Sequence, residues 1–166
     1  MQRYLSFLCI AAIGLITSGL GLASPGLASS GLASEFASQD GATSKLTVQV
    51  AGARNSKGQI AIALFQDGAG FPGDKSRAFR TLQVRIDPQT LRAQVTLNDL
   101  PPGVYAVSVF HDENMNGQLD KNVFGVPKEG YGASNNPKRS MGPPKFAEAK
   151  FQLDQPEKVI EISLLY

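Results

Sequence analysis

Between Asp112 and Asp120 the chain reads DENMNGQLD, with oxygen-bearing side chains at alternate positions. Asp112, Asn114, Asn116 and Asp120 would supply side-chain oxygens and Gln118 a backbone carbonyl, with Gly117 making the sharp turn at the sixth place. Hard cations prefer oxygen ligands, so the set suits Ca²⁺ rather than zinc, which is held by nitrogen and sulfur. Where a helix–loop–helix calcium loop carries a bidentate Glu at its twelfth place, this chain has Val123. Only two carboxylates remain on the spacing, which sets affinity on the order of 10⁻⁴ to 10⁻³ M unless a distant oxygen such as that of Glu129 completes the shell. The same residue types also build tight connections, because Asp and Asn close Asx-turns and glycine tolerates positive φ. Asp112, Asn114, Asn116, Gln118 and Asp120 are thus candidate Ca²⁺ ligands, with a purely structural turn as the competing reading.

His111 is the single histidine. A general-base role would need a partner acid and a nucleophile, and adjacent strand residues such as His111 and Asp112 point to opposite faces. No nucleophile elbow, zinc spacing or phosphate-cradling glycine loop is present, so no catalytic residue is assigned and a hydrogen-bonded structural histidine is expected. Residues 121–150 hold six basic groups against Glu129 and Glu148, a face that would suit an anionic envelope polymer or an acidic partner, or would simply be solvated. His111, Lys128, Glu129 and Tyr131 are the expected ligand surface, although an aromatic between two glycines, as Tyr131 is, also commonly pins a long loop to the core. The absence of tryptophan removes the usual stacking platform for sugars.

These residues need a scaffold, and the 166-residue length provides for one domain with a real core. Residues 1–23 have the pattern of a secretory signal peptide: an N-terminal positive charge, an apolar run from Tyr4 to Leu22, then small residues. An uncleaved anchor is the alternative, and would be the only link to a membrane. Residues 24–44 continue the Gly-Leu-Ala-Ser repeat begun at 21 and read as a flexible tether. The protein is therefore expected to be exported, periplasmic or extracellular, with residues 45–166 as its folded domain. The sole cysteine, Cys9, lies in the leader, so the exported part would use neither disulfides nor thiolate ligands. The nearly balanced charge offers no nucleic-acid footprint.

From Lys45 the hydrophobic period is two. Leu46, Val48 and Val50 alternate with polar residues, as do Leu82, Val84 and Ile86, Ala93, Val95 and Leu97, and Ile160, Ile162 and Leu164. Gln59–Phe65 is apolar on both faces and reads as a central strand; Tyr105, Val107 and Val109 form the inward side of another, and Phe151 and Leu153 suggest one more. Seven short strands, with at most a short helix around 144–149, predict an all-β antiparallel sandwich carrying one long loop segment.

The runs LPPGVYAVSVFHDENMNGQLDKN (100–122), GVPKEGYGASNN (125–136) and GPPKFAEAKF (142–151) resemble the bacterial domain of unknown function (DUF) family 2141, over roughly Lys45 to Tyr166. The resemblance implies an exported single-domain protein with no established activity. The entry Leu100 to Ala106 is similar to that of transthyretin-like and other immunoglobulin-like sandwiches, so it also implies that form of the fold. Ala133 departs from the larger residue expected after Gly-Tyr-Gly. The expected function is an exported, non-catalytic binding or accessory module for an envelope or extracellular ligand. A structural or adhesive subunit and a small hydrolase using His111 with Asp112, Glu113 or Glu129 are the alternatives.

Overall fold

The structure, a computed structural model, describes residues 43–138 and 142–166. The expected signal segment, nearly all of the tether and Arg139 lie outside the described residues. Eight strands form two packed sheets. They are β1 (Ser44–Ala51), β2 (Gln59–Phe65), β3 (Arg80–Val84), β4 (Ala93–Leu100), β5 (Gly103–Asp112), β6 (Tyr131–Ala133), β7 (Phe151–Leu153) and β8 (Glu157–Ser163). The first sheet runs β4-β1-β8 and the second β3-β2-β5-β6, with β7 also on β5.

Seven of these strands lie where the alternation puts them. The eighth, β6, has only three residues and no alternating pattern, and it exists because β5 offers it a free edge: Ser108, Val109 and Phe110 pair with Ala133, Gly132 and Tyr131. The pairs are antiparallel except one. β8 runs parallel to β1, from Lys45 opposite Glu157 to Ala51 opposite Ser163. A parallel pair requires a long crossover, and here nearly the whole domain supplies it.

The inward positions of both sheets meet in one core, with Leu46, Val48, Ile60, Leu64, Leu100, Tyr105, Val107, Leu153 and Ile162 all essentially inaccessible. Each fully buried Leu or Ile of this set contributes about 1.5–3 kcal/mol relative to exposure. Among the described residues the core lies between Leu46 and Leu164, within the compact unit Ser38–Tyr166.

β5 is central and covered on both faces. Tyr105, Val107, Val109 and His111 turn to the core, while Ala106 packs in a smaller cluster with Ala133, Ala149, Phe71 and Phe146. That cluster explains the small residue at 133, which is 3% exposed and packs with two other alanines. Ser134 fills the interval along β5 between β6 and β7: its hydroxyl accepts the Val107 N–H at 2.9 Å and donates to Ala149 O at 2.6 Å. The short helix α1 (Phe146–Ala149) is held by the Glu148 carboxylate, which accepts the Lys145 N–H at 2.8 Å. Among the described residues no helix is long and apolar enough to cross a membrane.

Candidate functional site

β5 ends at Asp112, and the chain leaves it through a loop closed on itself by side chains. Asp112 is fully buried; its Oδ1 accepts the Asn116 N–H at 3.0 Å, and its Oδ2 accepts the Gly117 N–H at 3.0 Å and the Gln59 amide at 3.1 Å. Two Asx-turns follow. Asn114 Oδ1 accepts the Asn116 N–H at 3.1 Å, and Asn116 Oδ1 accepts the Gln118 N–H at 2.7 Å. The amide groups of Asn114 and Asn116 then both donate to the Asp120 carboxylate, at 2.8 and 3.1 Å. Four of the five expected ligand residues thus meet through one hydrogen-bond network, and Gln118 joins it through its backbone N–H. The sharp turn falls at Gly117, whose φ of 74° is open to glycine at no steric cost. Lys75, from the β2–β3 connection, donates to Gly117 O at 2.6 Å.

Glu129 anchors the base of this loop. It is 4% exposed; Oε1 accepts the Glu113 N–H at 2.9 Å and Oε2 accepts the Asp120 N–H at 3.0 Å, so one carboxylate ties both ends together. His111 is fully buried, so neither it nor Glu129 is part of an exposed ligand surface. Of that expected set, Lys128 is exposed and Tyr131 half-buried. Val123, at the twelfth place, is 93% exposed and supplies no ligand oxygen. Among the described residues no three His, Cys, Asp or Glu side chains come together as a metal centre; the 112–120 loop combines two carboxylates with asparagine oxygens.

The bonds around His111 fix its tautomer. Nε2 lies 2.7 Å from Lys57 O, which can only accept, so Nε2 carries the proton. In the neutral ring Nδ1, 2.7 Å from the Tyr166 hydroxyl, is then the acceptor, and that hydroxyl in turn accepts the Arg54 N–H at 3.0 Å. Tyr166 is placed there by a two-bond bridge between Tyr131 and Leu165, which also joins β6 to the end of the chain. Arg54 lies over the Tyr166 ring, 4.8 Å from its centroid, and its guanidinium reaches Glu113 Oε1 at 2.6 Å. Burial would raise the Glu113 carboxyl, but hydrogen bonds from Asn55 and Arg54, the Arg54 charge and the charge that His111 carries when its ring is protonated together hold it below its ordinary 4.5. Burial pushes the Tyr166 phenol above its ordinary 10.0, aided by nearby Glu113 and opposed by Arg54.

Sequence reasoning missed Arg54, Glu113 and Tyr166 as members of one network. Arg54 and Tyr166 are 112 positions apart, and nothing local in either segment announces the partner. Gly58 was equally hidden: at φ 68°, a Cβ there would overlap Asp112 O and lie 2.7 Å from Glu113 Cα, so only glycine lets the β1–β2 connection pass the end of β5.

Beside β6 a shallow groove of about 220 Å³ is lined by Tyr131, Asn136, Lys138, Pro144 and Leu165 among others. That is below the ~300–1,000 Å³ of typical small-molecule sites. Comparison with curated proteins finds no match, and no solved structure matches. Residues 48–161, about two thirds of the chain, match the model of a family described as an uncharacterized protein conserved in bacteria (DUF2141), and the chain belongs to that family.

Proposed function

We propose that this is an exported, non-catalytic binding or accessory module that takes Ca²⁺ weakly in the loop Asp112–Asp120 and meets its partner through the connections around it. The observation that carries the reading is the loop closed by Asp112 on the Asn116 and Gly117 N–H groups, with Asx-turns at 114 and 116 and Asp120 bound to both asparagines. Asp112 Oδ1, Asn114 Oδ1, Asn116 Oδ1 and both Asp120 oxygens each accept one N–H and keep a further lone pair, whereas Asp112 Oδ2 accepts two. A cation held by Asp112, Asn114, Asn116, Gln118 O and Asp120, with water in the remaining places, would use those lone pairs. Glu129 instead ties the two loop ends through their backbone N–H groups, and a shell of Asp112 and Asp120 without it has only two carboxylates and hence weak binding.

The non-catalytic reading is supported by His111. Both of its ring nitrogens are engaged inside the domain, on Tyr166 and on Lys57 O. For a dissociation constant on the order of 10⁻³ M, about 10 mM Ca²⁺ stabilises the native state by about 1.4 kcal/mol. For a domain of this size that raises the unfolding midpoint by about 5 °C. Thermal unfolding in Ca²⁺ and in excess chelator reads this directly. Asp120→Ala should abolish the difference, whereas a midpoint indifferent to calcium would reject the ion site.

A further inference from the structure

Immediately after the loop, residues 121–128 form a small hairpin with an apolar tip. Lys121 pairs with Pro127, and Lys128 N–H reaches back to Asp120 O at 2.8 Å. Asn122 makes four bonds that hold the tip. Its N–H donates to Val126 O, its C=O accepts the Gly125 N–H, and its Oδ1 accepts the N–H groups of Phe124 at 2.9 Å and Val126 at 3.0 Å. The order of this turn therefore comes from its own backbone and from Asn122, and its apolar side chains take no part. Val123 is 93%, Phe124 87% and Val126 55% exposed.

We propose that this hairpin is a membrane-docking tip that inserts Val123, Phe124 and Val126 at the headgroup–acyl boundary of an anionic lipid bilayer, with Lys121 and Lys128 against the phosphates. Three observations point to lipid. The side chains project from a convex turn, and open space surrounds Gly125 at its apex. The flanking lysines are exposed, and neither forms an ion pair among the described residues. The nearest acids are engaged: Asp120 by Asn114 and Asn116, Glu129 by two backbone N–H groups. An apolar point with a cationic collar matches the layering of an interface with negative surface potential, where each lysine near the surface adds about fivefold to binding. A second copy of the chain fits less well. A stable dimer needs about 800 Å² of matched surface per partner, and an aromatic side chain buries about 150–250 Å², so three tip residues fall short. Lipid docking does not require an ion in the 112–120 loop, and so goes beyond the calcium reading.

The test uses residues 38–166, the compact unit that holds the core described above, and omits the apolar run at 4–22 that would bind vesicles by itself. Vesicles of phosphatidylglycerol mixed with phosphatidylcholine should sediment the protein, and pure phosphatidylcholine should do so far less. Val123→Ser/Phe124→Ser should weaken binding at least about tenfold, since a buried aromatic is worth that much or more, while leaving the thermal midpoint unchanged. Lys121→Gln/Lys128→Gln should weaken it about thirtyfold at low salt, from about fivefold per lysine. Because the chain has no tryptophan, Phe124→Trp gives a unique probe whose emission should shift to the blue on anionic vesicles. An indole emission left unshifted in the Phe124→Trp variant would overturn the proposal. So would vesicle binding that the serine pair leaves unchanged, or a concentration-dependent dimer that the same pair dissolves without any lipid binding.

Discussion

Glu129→Gln isolates the one side chain that spans the base of the candidate loop. The substitution keeps size and shape, and the amide oxygen can still accept one of the two N–H groups, from Glu113 or Asp120. The other then faces an NH₂ group, donor against donor. A hydrogen bond to a charged acceptor contributes about 1.5–3 kcal/mol, and leaving a buried donor unmet costs about 1–3 kcal/mol, the two being largely the same loss counted from either side. Two effects lower the figure. Both bonds are only part-buried, so water reaches some of the orphaned group, and removing a nearly inaccessible charge relieves part of its desolvation cost. We expect a net loss of about 2 kcal/mol, or about 8 °C in the unfolding midpoint for a domain of this size.

The place of the loss matters as much as its size. Urea unfolding should show a lower midpoint with an unchanged slope, because the surface exposed on global unfolding stays the same. Hydrogen exchange should show faster exchange at the amides of Glu113 and Asp120, while the strand amides of β1 keep their order of protection. A loss under about 0.5 kcal/mol, with both amides exchanging as in the parent, would mean that water substitutes for Glu129 and that the carboxylate is not what holds the loop.

Gly58→Ala should cost more than about 4 kcal/mol and drive the protein insoluble on expression, because the new methyl meets backbone of Asp112 and Glu113 at a positive φ. Gly73→Ala, with nothing within 4 Å of the added carbon, is the control and should leave the urea midpoint within about 0.5 kcal/mol. Tyr166→Phe removes the hydroxyl that serves Arg54 N–H and His111 Nδ1; it should destabilise by about 1–3 kcal/mol in urea, and a neutral result would show that the buried imidazole needs no partner there. On pH, the lowered Glu113 carboxyl contributes stability that is complete above 4.5 and is lost as pH falls through its lower folded value. Urea midpoints of the parent and Glu113→Gln should therefore converge as the solution is acidified below 4.5, and parallel curves would refute the assignment.

The legible part of this protein is the part written in local patterns. Period-two alternation located seven strands because each one buries alternate residues, and Asp-x-Asn-x-Asn-Gly located the loop because an Asx-turn closes within two residues. Alternation says which face is buried, but not which strand lies alongside or in which direction, so the parallel pairing of β8 on β1 could not be read from it. Nor could β6, whose Tyr-Gly-Ala has no pattern and is a strand through its pairing with β5 and the bridge from Tyr131 to Leu165. Glu129 read as a surface carboxylate because charged residues usually are; its burial follows from two backbone donors in another part of the loop, a pairing with no sequence signature.

At this end of the sandwich the usual partition is reversed. His111, Asp112 and Glu129 are inside, while Val123 and Phe124 are outside. The buried half is accounted for by bonding: both nitrogens of His111 and every carboxylate oxygen of Asp112 and Glu129 have partners, and burial of polar groups is tolerable only when it is that complete. The exposed half has no such account in the folded domain. Leaving a Phe or Val side chain in water forgoes about 1.5–3 kcal/mol that burial would return, and a connection needing only to reverse direction could place polar residues at its tip. Asn122 already closes that turn through its own four bonds, so the apolar side chains add nothing to its geometry. What folding leaves unexplained here is therefore the identity of Val123, Phe124 and Val126, and a surface outside the molecule is where their missing burial can be found.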